Sequence, residues 1–393
     1  MYYKMGRKNI ILLGATGSIG DSTLQVIRRN RNRLTLFGVA AFSNIEALAK
    51  IASEFVVKHV TIYDTSAYKK ARESDLFAKD VYLNCGLQGL TELASLPDAD
   101  ITVIAVPGTI CLQPTLSALQ AGNDIALASK EVLVTAGKFV MAAAKKYGRK
   151  ILPADSEHNA IFQCLHQSSR KDLARVILTA SGGPFRDYSS EQMKTIKRED
   201  ALKHPNWLMG PKITVDSSTM ANKGIELIEA HLLFGQKPNY IQVVLHPQSI
   251  IHSLVEFIDG SILAQLSPPS MTFAIQHTLL YPDRSEGVTE TLDFSQVMQF
   301  DFHPPDIDRF PCLRLARETL VAGGTAPAAF NASNEEAVLA FLGNRIDYLT
   351  IPIIIERTLE TVSCFEPQNL DQVMEVEASA RQVARNKIAS YVS

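Results

Sequence analysis

Two stretches of this chain place carboxylates beside groups that hold anions. Asp155-Ser156-Glu157 sets acids at i and i+2 directly after a strand-like run, Lys150–Leu152. Carboxylates so spaced at a strand end can converge on one hard cation. The same residues also read as a helix start, with Asp155 as N-cap and Glu157 favoured in the first turn by the dipole. The second stretch runs Asp216-Ser-Ser-Thr-Met-Ala-Asn222-Lys223-Gly-Ile-Glu226 over a loop and the start of a helix. Ser217, Asn222 and Lys223 offer two short donors and a point charge near a helix N-terminus, the equipment of a phosphate site. Glu226, one turn beyond Asn222, can add a third carboxylate to the cation. The alternative is a solvated helix start with an i,i+3 Lys223–Glu226 pair.

A third segment runs from Ser181-Gly-Gly-Pro-Phe-Arg186 to His204-Pro-Asn-Trp207-Leu-Met209-Gly210-Pro211. A Trp, a Met and a His between Gly/Pro hinges describe a flexible flap, 181–211, that closes over a substrate and excludes water. A surface loop pinned by its Trp is the other reading. Lys130, in Ser129-Lys130-Glu131 at a strand end, can reach a substrate, although an isolated lysine there also reads as a solvated charge.

A cofactor signal lies near the N-terminus. Gly14-Ala-Thr-Gly17-Ser-Ile-Gly20 follows the first strand and opens the first helix. Glycines at such a βα junction permit a tight turn and close backbone approach to a pyrophosphate. The spacing is G-x-x-G-x-x-G, and the Lys of a P-loop is missing. The second strand ends in Ala40-Ala41-Phe42-Ser43-Asn44, with no acid for a ribose hydroxyl, so NADP is favoured over NAD.

The elements that carry these residues follow from periodicity. Asn9–Leu13, Leu34–Ala41, His59–Tyr63, Ile101–Val106 and Asp124–Ala128 read as strands, alternating with helices at Ser18–Arg29, Ile45–Phe55, Cys111–Ala121 and Glu131–Tyr147. That alternation specifies a Rossmann-like parallel sheet with helices on both faces, over residues 1–154. A helix at Ser156–Gln167 and a strand at Ala174–Ala180 come next. After Pro211 come a helix, Thr219–Phe234, and strands Tyr240–Leu245, Ile250–Ile258 and Ser261–Leu266. Asp259-Gly260 between the last two is a hairpin signal. Residues 155–285 thus read as an α+β catalytic domain. A proline-bearing linker, 286–311, leads to a helical domain, 312–393, with helices at Leu313–Ala322, Ala326–Leu342, Ile351–Thr361 and Asn369–Tyr391.

The composition fits a globular chain of two or three domains: 393 residues, 46% hydrophobic and 20% charged. A net charge of −2 argues against nucleic acid or an anionic membrane as partner. No apolar run approaches the ~20 residues of a membrane span, and Met1–Lys8 leaves no room for a leader. Cys85, Cys111, Cys164, Cys312 and Cys364 show no C-x-x-C spacing, so reduced, buried thiols in the cytoplasm are expected.

Together these motifs resemble the 1-deoxy-D-xylulose 5-phosphate reductoisomerase family along essentially the whole chain. The resemblance rests on G-A-T-G-S-I-G, A-S-K-E, P-A-D-S-E-H, S-G-G-P-F-R, H-P-N-W-x-M-G-P-K, D-S-S-T-M-A-N-K-G-x-E, L-H-P-Q-S-I-I-H-S and N-A-S-N-E-E-A. It implies that Thr16, Gly17, Ser18 and Ile19 hold the NADPH pyrophosphate, with Ser43 and Asn44 near the 2′-phosphate. Ser129, Glu131 and Gly210 match further cofactor contacts. It implies Asp155, Glu157 and Glu226 as ligands of Mn²⁺ or Mg²⁺, with Co²⁺ as a substitute. Lys130, Ser156, Glu157, Ser181, His204, Ser217, Asn222, Lys223 and Glu226 match substrate positions, and Trp207 and Met209 the flap. Lys130, Asp155, Glu157 and Glu226 are the expected catalytic group. Two departures stand out: Phe42 where the family commonly has Gly, and Ser129 where Asn is commoner.

The activity so implied is NADPH-dependent conversion of a phosphorylated ketose, 1-deoxy-D-xylulose 5-phosphate, into 2-C-methyl-D-erythritol 4-phosphate, in non-mevalonate isoprenoid biosynthesis. Its course is retro-aldol cleavage, re-addition and reduction, in a homodimer with a small-molecule substrate. Another NAD(P)-dependent dehydrogenase, acting on homoserine or a semialdehyde, would share the glycine turn but not need three carboxylates. A non-catalytic NADP sensor would bind cofactor without turnover.

Overall fold

The computed structural model describes residues 6–166, 168, 170–203 and 210–391. The chain forms two compact units, one of Met1–Val132, Val140–Asn159 and Ser270–Thr291, the other of Leu133–Phe139, Ala160–Pro269 and Leu292–Ser393.

Seven strands make the sheet of the first unit: β1 (Lys8–Leu13), β2 (Leu34–Ala41), β3 (His59–Ile62), β4 (Tyr82–Cys85), β5 (Ile101–Ile104), β6 (Asp124–Leu127) and β7 (Ile151–Pro153). They are all parallel, in the order β4-β3-β2-β1-β5-β6-β7. The order reverses at β1, which lies between β2 and β5, and such a switch point opens a crevice at the carboxyl ends. Ile10, Ile11, Leu12 and Leu13 have no solvent exposure, because a parallel sheet covered on both faces buries every position of its central strand.

The expected strands and helices of this unit are present, with four additions. Helices Thr65–Glu73 and Gly86–Ala94 and strand β4 had no clear periodic signature. The strand β4 is short and its Tyr82 is exposed, as an edge position allows. Helix Met271–Leu280 also belongs to this unit, where Ile275, Leu279 and Leu280 join the same core as Ile10, Leu12 and Leu24.

The second unit is built on a four-stranded sheet of β8 (Leu173–Ala180), β9 (Ile241–Leu245), β10 (Ile251–Phe257) and β11 (Ile262–Leu266), in the order β11-β10-β8-β9. The pair β10/β11 is antiparallel, and the Asp259-Gly260 turn is the hairpin its sequence specifies. Gly260 has φ +84°, and the Asp259 carboxylate accepts from the Ser261 amide at 2.9 Å. The remaining core is helical. Four helices follow, Pro311–Ala322, Ala326–Leu342, Thr350–Thr361 and Leu370–Ala389; Ala329 and Ala332 of the second pack on Val376 and Ala380 of the fourth, with Leu359 of the third against them. Residues 282–310 hold no helix or strand beyond a bridge between His303 and Leu245.

One expectation needs correction. The segment before Thr219 is not all loop: a helix spans Pro211–Ser218, and the following helix begins at Ala221. Pro211 occupies the first helical position, where its missing N–H costs nothing. Met220, at φ +60°, makes the corner between the two helices.

Candidate active site

Strand β1 delivers the chain to the glycine turn. Gly14 has φ +95°, and a Cβ there would stand 2.3 Å from the Ala105 carbonyl oxygen, so only glycine fits. A Cβ on Gly20 would stand 2.4 Å from the Gly14 oxygen, which seats helix Ser18–Arg29 tightly on the turn. Gly17 differs, because the atom nearest to its added Cβ is 3.6 Å away. Exposed and uncrowded, Gly17 presents its backbone at a helix N-terminus, the geometry a pyrophosphate uses.

A cleft opens here, lined by Gly14, Thr16, Gly17, Ala40, Ala41, Phe42, Tyr63, Leu90, Ala105, Val106, Pro107 and Ile110. Thr16 and Gly17, expected from sequence, are among these. Ser18 is exposed as the first residue of its helix, whereas Ile19 packs partly against the core. Ser43 and Asn44 are exposed at the end of β2, and Asn44 caps helix Ile45–Phe55 by accepting from the Ala47 amide at 3.1 Å. The Ser129 hydroxyl donates to the carbonyls of Ile104 (3.2 Å) and Val106 (2.6 Å), tying two strand ends together. Tyr63, Leu90, Val106, Pro107 and Ile110 were not anticipated. Tyr63 stacks on Phe42, with ring centroids 5.5 Å apart, and Phe42 remains 60% exposed.

The carboxylate pair follows β7. Asp155 caps helix Ser156–Cys164, its Oδ1 accepting from the Glu157 amide at 3.0 Å. The capping reading is therefore right, and it does not exclude the other, because Oδ2 lies 2.8 Å from Lys130 Nζ. Lys130 is 6% exposed and so is no surface charge. His158 is wholly buried with Nδ1 3.1 Å from Asp155 Oδ1. Burial opposes ionisation of Asp155, but the charge of Lys130 and the hydrogen bond and charge of His158 outweigh it. They hold the carboxyl well below its usual range. The Ser156 hydroxyl donates to the Glu157 carboxylate, and Asp155 and Glu157 bring ligand oxygens within 4.8 Å of each other. Glu131 is buried at the start of helix Glu131–Tyr147.

In the second unit, Ser217 lies in the last turn of one helix while Asn222 and Lys223 lie in the first turn of the next. Glu226 is 1% exposed and accepts from Asn222 Nδ2 at 2.5 Å and from the Lys223 ammonium. This i,i+4 bond accounts for an Asn at a helical position. Ser181 follows β8, its hydroxyl accepting from the Gly183 amide at 3.3 Å. Gly182 and Gly183 have φ of +80° and +68°. A Cβ on Gly183 would be 2.9 Å from Ser218 Cα and 3.0 Å from the Ser217 oxygen, so the glycine turn is pressed against the backbone at Ser217. Gly210 is exposed and caps helix Pro211–Ser218. His204, Trp207 and Met209 lie outside the described residues.

Chemically, the first unit offers an apolar-walled cleft with a helix N-terminus and a buried carboxylate whose charge Lys130 and His158 favour. The second offers a Ser/Asn/Lys cluster beside a buried glutamate. Family models agree with that inventory. The 1-deoxy-D-xylulose 5-phosphate reductoisomerase model matches residues 10–137, and its C-terminal domain models match 151–234 and 266–383. The reductoisomerase of Geobacillus sp. is 47% identical over 380 residues, covering 96% of this chain and 99% of that one. That of Chlorobium chlorochromatii is 46% identical, covering 95% and 98%. Among solved structures, the Zymomonas mobilis reductoisomerase in complex with NADPH superposes with a TM-score of 0.91 at 43% identity, covering 98% and 99%. A reductoisomerase in complex with NADPH, fosmidomycin and magnesium gives 0.91 at 40%, covering 97% and 98%. The chain belongs to the 1-deoxy-D-xylulose 5-phosphate reductoisomerase family.

Proposed function

We propose that this chain rearranges and reduces 1-deoxy-D-xylulose 5-phosphate to 2-C-methyl-D-erythritol 4-phosphate, with NADPH as reductant and Mg²⁺ or Mn²⁺ as metal. The observation that carries the reading is Asp155: buried, yet held ionised by Lys130 and His158. A carboxylate kept deprotonated away from water suits a hard cation.

Asp155, Glu157 and Glu226 would hold the metal, a hard-oxygen donor set that matches Mg²⁺ or Mn²⁺. Bound there, the cation supplies Lewis-acid stabilisation of charge on the substrate's oxygens. The turn at Thr16–Ile19 would receive the NADPH pyrophosphate, since Gly17 leaves its backbone open at a helix N-terminus. Ser43, Asn44, Ser129, Glu131 and Gly210 would make further cofactor contacts. NADPH supplies the hydride of the reductive half.

The chain's own residues do the positioning. Ser181, Ser217, Asn222 and Lys223 would bind the phosphate, and that remote binding energy orients the reacting carbons. Lys130 and Ser156 sit beside the carboxylates, where each can donate to a substrate oxygen. His204, Trp207 and Met209 would close the flap and exclude water.

We also read the protein as a cytoplasmic homodimer. No helix among the described residues is long and apolar enough to cross a membrane. The edge strand β11 leaves Ile262 and Leu263 each 50% exposed, an apolar edge that a second copy would cover.

NADPH oxidation by the purified protein, given 1-deoxy-D-xylulose 5-phosphate and Mn²⁺ with and without a chelator, tests the assignment. Oxidation that stops on chelation and returns with metal is expected. Activity that ignores the chelator favours another dehydrogenase, and cofactor binding without turnover favours a sensor.

A further inference from the structure

The residues on either side of Ser217 are each held by the helical part of the second unit. Asp216, 1% exposed, accepts from Asn334 Nδ2 at 2.8 Å, and its other oxygen pairs with Lys212 Nζ at 2.9 Å. Ser218 offers its carbonyl to the Tyr348 hydroxyl at 2.7 Å. The Tyr348 ring stands edge-on to Phe185, centroids 5.2 Å apart, and to Phe341 at 5.8 Å. Phe185 belongs to the Ser181-Gly-Gly-Pro-Phe segment, so one tyrosine touches both stretches assigned to the phosphate.

Asn334 is an expensive residue for its position. Its side chain is fully buried on helix Ala326–Leu342, and its Oδ1 has no hydrogen-bond partner among the described residues. A buried carbonyl without a partner costs stability, which an apolar side chain would not. What the amide gives in return is one bond, to the residue preceding Ser217. Meanwhile Met220 holds φ +60°, a strained value for a non-glycine, and keeps the next helix start, with Asn222 and Lys223, folded back towards Ser217.

We propose that Asn334 and Tyr348 are positioning residues for the substrate phosphate, fixing the backbone on both sides of Ser217 so that its hydroxyl meets the ligand pre-oriented. The inference rests on the reading of Ser217, Asn222 and Lys223 as the phosphate site. Neither residue touches substrate; Asn334 acts through the Asp216 carboxylate and Tyr348 through the Ser218 carbonyl. Preorganisation of this kind shows in ligand affinity, because a loose donor must be ordered when the ligand arrives.

The test compares Tyr348→Phe and Asn334→Ala with the natural protein. Tyr348→Phe keeps the ring against Phe185 and Phe341 and removes one hydroxyl, so it decides the matter if Asn334→Ala does not fold. Two readouts are taken: calorimetric binding of inorganic phosphate, and KM for 1-deoxy-D-xylulose 5-phosphate and for NADPH with Mn²⁺ present. Phosphate affinity is expected to weaken by about 5- to 10-fold, the worth of one net hydrogen bond. KM for the ketose phosphate should rise by a similar factor while KM for NADPH stays within about twofold. Unchanged phosphate affinity in the folded variants, no phosphate binding by the natural protein, or a parallel rise in both KM values would overturn the inference. Phosphate binding does not depend on turnover. A natural protein that binds phosphate but leaves NADPH unoxidised removes the assigned reaction, while the comparison of variants still decides the positioning role.

Discussion

Lys130 Nζ lies 2.8 Å from Asp155 Oδ2, and both side chains are buried. A buried pair is costly to break from one side, because the charge left behind has no solvent. Lys130→Met should therefore destabilise the fold by about 3 kcal/mol, the low end for such pairs since His158 still faces Asp155. Urea unfolding with an unchanged m-value measures it. The double variant Lys130→Met/Asp155→Asn, with neither charge of this pair left over, should regain most of that stability yet remain inactive. Recovered activity in the double variant would show that the pair serves folding alone.

Glu226 is the third acid, 1% exposed and hydrogen-bonded to Asn222 and Lys223. Glu226→Gln keeps the size and an acceptor oxygen but removes the charge a divalent cation needs. Turnover should fall by roughly a hundredfold or more, on the order of 3 kcal/mol of barrier, as loss of metal assistance implies. NADPH affinity, followed by fluorescence titration, should move by less than about twofold, since the expected NADPH pyrophosphate turn lies elsewhere in the chain. A normal rate would remove Glu226 from the reaction.

Much of this site was legible because its signals are local. The glycine turn, the Asp-x-Glu pair and the Ser217–Glu226 run each occupy one short stretch; the first two emerged on the element their pattern specifies, whereas Ser217 sits on a helix and not in the expected loop. What sequence reading missed came from a distance. Tyr63 and Val106 reach the cleft only because parallel pairing aligns the ends of β1, β2, β3 and β5, and Leu90 enters it from helix Gly86–Ala94. Asn334 and Tyr348 are more than a hundred positions from the residues they hold. Helix Pro211–Ser218 was hidden for another reason. Gly210-Pro211 punctuates loops and also opens helices, and only the tertiary setting decides between the two.

Gly14 yields a prediction about folding rather than chemistry. A Cβ there meets the Ala105 backbone at 2.3 Å, and φ +95° is rarely adopted by L residues. Backbone cannot yield as a flexible side chain can. Gly14→Ala should lower the apparent melting temperature and abolish NADPH binding together. Gly17→Ala, whose Cβ would make only an ordinary contact with the Gly14 oxygen at 3.6 Å, should leave the melting temperature nearly unchanged and weaken NADPH binding alone. Equal melting losses in the two variants would mean that the turn is purely structural.

Glu336 predicts how the helical bundle responds to acid. It is 6% exposed, and Arg385 reaches both its oxygens at 2.8 and 2.9 Å, with Arg381 at 3.3 Å. Burial pushes its pKa up, but the hydrogen bonds and charges of Arg385 and Arg381 outweigh this and hold the carboxyl below its ordinary value of 4.5. A carboxyl with a depressed folded pKa binds fewer protons folded than unfolded, so its contribution is fully present above the ordinary value. As pH falls below 4.5 and through the folded pKa, that contribution is lost. The natural protein and Glu336→Gln should therefore differ most in urea midpoint at neutral pH and converge on acidification. A gap that stays constant from neutral pH down to acid would mean that the arginines contribute through packing rather than through charge.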